Sequence, residues 1–186
     1  MNIYLDIARE LGEPFTWEKF EATLAADPGD SLLAIAALRS GVMPDGCSVE
    51  VWTSDHIDYL VALKASQPTR AQDERNRGLG WSSENAQALV DELVGDLIFC
   101  TNGGSIGDVP ISYGTPPLDH EDGCVYATVR DGGHEAVYYD RYCLTRDGHF
   151  LRANLPGLID VLHPRDWVLR HRALARATAF KRMLGH

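Results

Sequence analysis

The sequence predicts an α+β fold, with a helical N-terminal half packed on a small antiparallel β-meander and a C-terminal helix closing it. Three observations carry that reading. Apolar residues recur at helical spacing through the first half, punctuated by Gly and Pro. From Cys124 to Ala153, runs rich in Val and Tyr alternate strand-like and are separated by Asp-Gly turns. After Pro164 the helical spacing returns. At 186 residues the chain reads as a single domain, 1–186. A chain of this size buries roughly 70% of its unfolded surface, enough to fold without a metal or disulfide staple.

The elements follow in order. Ile3, Leu5, Ile7, Ala8 and Leu11 include one helical face, and Gly12 stops it. Thr16 is the N-cap expected for a second helix to about Ala26, with Trp17, Phe20 and Leu24 on its buried stripe. Asp27-Pro28-Gly29 breaks the chain, Asp30 or Ser31 caps a third, largely apolar helix, and Gly41 ends it. Pro44-Asp45-Gly46 is a turn, and Val49 and Val51 alternate as a short strand. Ser54 caps a helix through Ile57, Leu60, Val61 and Lys64, which Pro68 stops. Residues 67–80 are the most polar stretch and read as a surface loop. Ser82 or Ser83 opens a helix whose apolar face is Ala86, Leu89, Val90, Leu93, Val94 and Leu97.

Next comes the expected meander. Cys124–Arg130 pairs with Glu135–Thr145 through the turn Asp131-Gly132-Gly133. Asp147-Gly148 turns into a third strand, Phe150–Ala153. Leu155–Leu162 reads as a loop and short helix. Pro164 suits the first turn of a final helix to about Leu184, with an apolar stripe of Leu169, Ala173, Ala177, Phe180 and Leu184 and with Trp167 as its anchor.

Composition narrows the function. The start of the chain has neither the basic region nor the apolar block of a secretory signal, and no stretch approaches a membrane span, so a cytoplasmic location without membrane contact is expected. Cys47, Cys100, Cys124 and Cys143 form no CxxC pair and read as free thiols, mostly buried. The net charge of -10 is uneven. His163–His186 carries six Lys/Arg and one acid, a net of +5; the rest therefore carries 11 Lys/Arg and 26 acids, a net of -15. Such a body attracts a basic partner and repels nucleic acid, except through the C-terminal helix with Arg165, Arg172 and Arg176.

Candidate chemistry is sparse. Thr101 to Asp108 contains glycines that can aim N–H groups at an anion, but lacks a P-loop ending. Cys100 precedes it, and His134, at an expected hairpin turn with Glu135 beside it, is a candidate base for a thiol mechanism, though no family signature surrounds Cys100. His120, Asp122, Cys124, His134, Cys143 and His149 crowd one stretch, yet their spacings match no standard zinc pattern, and strand alternation sends several to opposite faces. No cofactor is expected. Tyr138 and Tyr142 share a strand face, with Tyr139 opposite; tyrosine pairs an apolar body with a polar tip, as interfaces favour.

A helix followed by Asn102-Gly103-Gly104, then strands and a short apolar helix, resembles the closing half of the SMI1/KNR4-like group over roughly Leu89 to Leu162. That resemblance implies toxin-binding immunity proteins. The lack of a signal peptide, the acidic body and the lack of an assembled catalytic motif favour a protein-binding domain, in the sharpest form an immunity protein that occludes a basic partner, over catalysis. Asp119, Glu121 and Asp122 are the expected charged contacts, and Tyr138 and Tyr142 the expected apolar anchors. The alternatives are a small hydrolase or transferase centred on Cys100 and the Asn102–Gly104 loop, and a nucleic-acid-associated protein using its last helix.

Overall fold

Helices in this chain begin where a side-chain oxygen can take up the free N–H groups of a first turn. In the computed structural model, which describes residues 2–70, 78–109, 118–134, 140–153, 155 and 159–184, four such caps are formed. Thr16 accepts from the Lys19 amide at 3.2 Å, Ser54 from Ile57 at 3.5 Å, Ser82 from Asn85 at 3.2 Å and Asp119 from Asp122 at 2.9 Å. They open α2 (Trp17–Ala26), α4 (Asp55–Ser66), α5 (Ser83–Leu89) and α7 (His120–Asp131). The helix α1 (Asn2–Leu11) precedes them, and α3 (Asp30–Arg39) starts from Gly29 without a side-chain cap. There the Gly29 amide donates to Glu10 at 2.8 Å instead of the chain capping itself through Asp30 or Ser31.

From α5 the chain passes through a π turn, Val90–Val94, straight into α6 (Gly95–Cys100). The six apolar residues expected on this face are all buried. They pack with Ile3 and Ile7 of α1, Phe20 of α2, Leu32 and Ile35 of α3 and Val61 of α4 in the main core. The final helix α8 (Pro164–Met183) has Pro164 at its start. Trp167 and Val168 anchor it against Ala34 of α3.

Strands are few and short. Trp52–Thr53 (β1) lies parallel to Gly104–Ser105 (β2), and Arg141–Leu144 (β3) lies parallel to Ile159–Leu162 (β4). The mixed α+β character holds, but the antiparallel meander does not. Cys124–Arg130 is helix, not strand, and Asp131-Gly132-Gly133 is the end of that helix, not a hairpin turn. Three β-branched residues, Val125, Thr128 and Val129, give the run its strand-like look. The Asp119 cap, the acids in the first turn and Arg130 in the last favour helix, and burial of Cys124, Ala127 and Thr128 follows helical spacing. Phe150–Arg152 is a 3-10 turn instead of a third strand, and β4 stands where a short helix was expected. Within Glu135–Thr145, residues 135–139 lie outside the described residues, while Arg141–Leu144 is strand.

Two further differences bear on the surface. The stripe expected on α8 is largely uncovered: Leu169, Phe180 and Leu184 are exposed, and the buried side is formed by Pro164, Trp167 and Val168. All four cysteines are free, but Cys47 and Cys100 are exposed; Cys124 and Cys143 are buried. Among the described residues no helix is long and apolar enough to cross a membrane.

Candidate functional site

A cleft of about 1090 Å³ opens between α3, α7, β3 and α8. Its size reaches the top of the ~300–1,000 Å³ range common for ligand pockets. Ile35 and Leu38 from α3, Val125 from α7 and Trp167 from α8 give it apolar walls. Trp167 is 2% exposed, and its indole N–H is buried without a hydrogen-bond acceptor among the described residues. An unmet buried donor of this kind is costly, at about 1–3 kcal/mol. Tyr142 packs its ring 5.2 Å from Trp167, and its hydroxyl donates to Asp140 at 3.2 Å.

The rim is charged. Asp45, Glu50 and Asp140 reach it, as do Arg141 and Arg170. Both cations are occupied. Arg141 donates to the backbone carbonyls of Val129 and Gly132, tying β3 to the end of α7. Arg170 pairs with Asp160 at 3.4 Å and lies over the Tyr142 ring at 4.9 Å. Glu50 accepts from the Trp52 indole at 2.9 Å and from the His134 amide at 3.4 Å. Asp45 and Asp140 also accept hydrogen bonds within the chain, but each carboxylate has more acceptor sites than these bonds use.

The glycine loop is explained by crowding. Asn102 takes a left-handed conformation, φ 52°, and a Cβ on Gly103 would collide with the Val51 carbonyl oxygen. Thr101 accepts from the Val51 amide at 2.9 Å and donates to Leu97 at 2.7 Å, locking this approach at the end of α6. His134 does come to the loop: its Nε2 lies 3.1 Å from the Asn102 carbonyl oxygen, and its ring packs edge-on against Trp52 at 5.1 Å. Cys100 faces elsewhere, with its thiol donating to Asp96 at 3.6 Å. Local desolvation and Asp96 push that thiol up, which disfavours the thiolate a nucleophile requires.

The other expected contacts divide. Tyr142 lines the cleft, and Tyr138 lies outside the described residues. Asp119, Glu121 and Asp122 cluster at the start of α7, away from the cleft walls. Asp119 is exposed and caps the helix. Asp122 is half-buried; burial, then Asp119, Asp147 and Glu121, push its carboxyl up to about 6. Arg165, Arg172 and Arg176 are exposed on α8.

Of the crowded metal-type residues, the fold joins two and adds a third. His120 and Cys124 sit one helical turn apart on α7, with Cys124 Sγ 3.8 Å from His120 Nδ1. His56, in the first turn of α4, completes a group whose ligand atoms all lie within 4.8 Å of one another. Sequence spacing missed His56 because the contact joins distant helices, and read as a strand, the 120–124 pair loses its i,i+4 signature. Cys143 is buried in β3, its thiol pushed up to about 12 by burial; His134 is committed to Asn102 and Trp52.

Comparison with family models, curated proteins and solved structures finds no match to this chain. The resemblance at Asn102-Gly103-Gly104 therefore rests on those residues, and their close approach to Val51 accounts for them structurally.

Proposed function

We propose that this protein is a binding domain that receives an apolar, basic segment of a protein partner in the cleft between α3, α7, β3 and α8. The observation that carries this reading is the large cleft itself, with apolar walls of Ile35, Leu38, Val125 and Trp167 and with Asp45, Glu50 and Asp140 at its rim. Side chains of the inserted segment would bury against Ile35, Leu38, Val125 and the Tyr142 ring. Asp45, Glu50 and Asp140 at the rim favour Lys or Arg on either side of the insert. The net charge of -10 acts in the same direction at longer range. Occlusion of a basic partner, as an immunity protein does to a toxin, is the mode of action that suits such a surface.

Selection from an unbiased displayed-peptide library tests the reading. The expected winners carry an aliphatic or aromatic core flanked by Lys or Arg, and they lose affinity for Asp140→Lys and Tyr142→Ala variants that remain folded. Winners rich in Asp or Glu, or indifferent to both substitutions, would overturn it.

A further inference from the structure

We propose that His56, His120 and Cys124 form a binding site for one divalent transition-metal ion of borderline softness, with zinc as the type, clamping the start of α4 to the start of α7. The site is separate from the cleft, whose walls include none of the three side chains.

Geometry comes first. Three ligand atoms, one from each residue, lie within 4.8 Å of one another. Ideal tetrahedral zinc bonds of ~2.0–2.3 Å place neighbouring ligand atoms roughly 3.3–3.8 Å apart. The Sγ–Nδ1 separation of 3.8 Å already meets that spacing, and rotation of the exposed His120 ring can close the remainder. The two imidazoles stand 5.3 Å apart at 64°, so they are not stacked face to face and can converge on a common point.

Second, His56 Nε2 is buried and has no hydrogen-bond partner among the described residues. A buried ring nitrogen without a partner is costly in a folded protein, and a metal bond removes that cost.

Third, the donor set is selective. Two imidazoles and a thiol suit zinc, whereas calcium and magnesium require oxygen ligands. The alternative use of a Cys–His pair, as a nucleophile and its base, fits less well. Cys124 is 2% exposed, so a substrate cannot reach its sulfur. Metal binding instead displaces the thiol proton to solvent.

Charge completes the case. The N-terminal ends of two helices repel a cation. Asp55 in the first turn of α4 and Glu121 and Asp122 in the first turn of α7 offset that field. Three protein ligands leave the fourth position to water or to Glu121, whose charge is felt at both His56 and Cys124.

The test uses the full chain, stripped with a chelator and titrated with cobalt(II), then with zinc in competition. The expected result is one cobalt per chain, with intense tetrahedral d–d bands and a thiolate-to-cobalt charge-transfer band, both removed by one equivalent of zinc. Because Cys124 is buried and Cys124→Ser can disturb folding, the deciding variant is His120→Ala at an exposed position. It should weaken zinc binding by at least about tenfold, in line with the effect of losing supporting ligand contacts. At one fixed zinc concentration, zinc should raise the melting temperature of the parent chain more than that of the variant. A weak octahedral cobalt spectrum without thiolate absorption, or equal zinc affinity in parent and His120→Ala, would overturn the proposal.

Discussion

The hydroxyls of Ser54 and Thr128 lie 2.9 Å apart in the interior, where neither residue is more than 1% exposed. Each has a second task. Ser54 caps α4 through the Ile57 amide, and Thr128 donates to the Cys124 carbonyl one turn back in α7. The contact therefore fixes how the N-terminal end of α4 meets the middle of α7, below the metal-type cluster and beside the cleft wall.

Replacing Thr128 by Val keeps the shape and leaves a buried Ser54 hydroxyl with one partner fewer. The expected loss is about 1–3 kcal/mol, the usual cost of stranding a buried polar group. Ser54→Ala removes a cap as well and should cost about 1–2 kcal/mol. In a double-mutant cycle by urea unfolding, the two changes should be non-additive by roughly 0.5 kcal/mol or more, as for residues in contact. Strict additivity would mean that the hydroxyls are neighbours without being coupled.

The thiols should divide into two classes. Cys47 and Cys100 are exposed and should label in the native protein, whereas Cys124 and Cys143 should label only after unfolding. Both exposed thiols are pushed up, Cys47 chiefly by its Asp45 neighbour and Cys100 by local desolvation and Asp96. Their native labelling should be slower at neutral pH than that of a small free thiol and should accelerate as pH rises. Reductant should leave the melting temperature unchanged, since no disulfide is present to lose.

Glu13 gives a pH signature. Its carboxylate accepts from the Asn85 side chain and the Ser82 amide, each at 2.8 Å, joining the α1–α2 turn to the start of α5. These bonds hold its carboxyl below the usual range. The stabilisation is therefore present above the ordinary glutamate value and is lost as pH falls through the lowered one. Glu13→Ala should lower stability at neutral pH, with the gap to the parent chain closing in strong acid. A gap independent of pH would assign the effect to packing.

Association with a basic ligand should weaken in rate as salt rises, since screening limits exposed charges to ~8 Å near physiological ionic strength. Reversing Glu121 or Asp140 should slow association more than it speeds dissociation, as expected of charges that steer without being enclosed. Stopped-flow rates across a salt series decide it. An association rate indifferent to salt would remove the electrostatic support for a basic partner.

Caps were the most legible feature of this sequence. Thr16, Ser54 and Ser82 each stand before an apolar run at helical spacing, and all three form the expected bond. Asp119 is the same signal, obscured by the β-branched residues that follow it. Once Cys124–Arg130 is taken for a strand, His120 falls in the loop before it, the one-turn stacking of His120 on Cys124 is lost, and Arg141–Leu144 is paired with that run instead of with Ile159–Leu162. The cleft was illegible for a different reason: its walls come from four elements spread along the chain, and Trp167 shows its unmet N–H only when those elements are assembled.

The crowding around Val51 and Trp52 sets how this sequence can drift. Gly103 has no room for a side chain against the Val51 carbonyl, and Gly132 has little against Trp52. A substitution scan scored by binding alone would rank both positions as indispensable, although neither offers a group to any partner. Tyr142 and Asp140 would give the same binding score for the opposite reason, their variants accumulating normally while failing to engage. Scoring cellular abundance beside binding separates residues that let the backbone close from residues that meet something outside it.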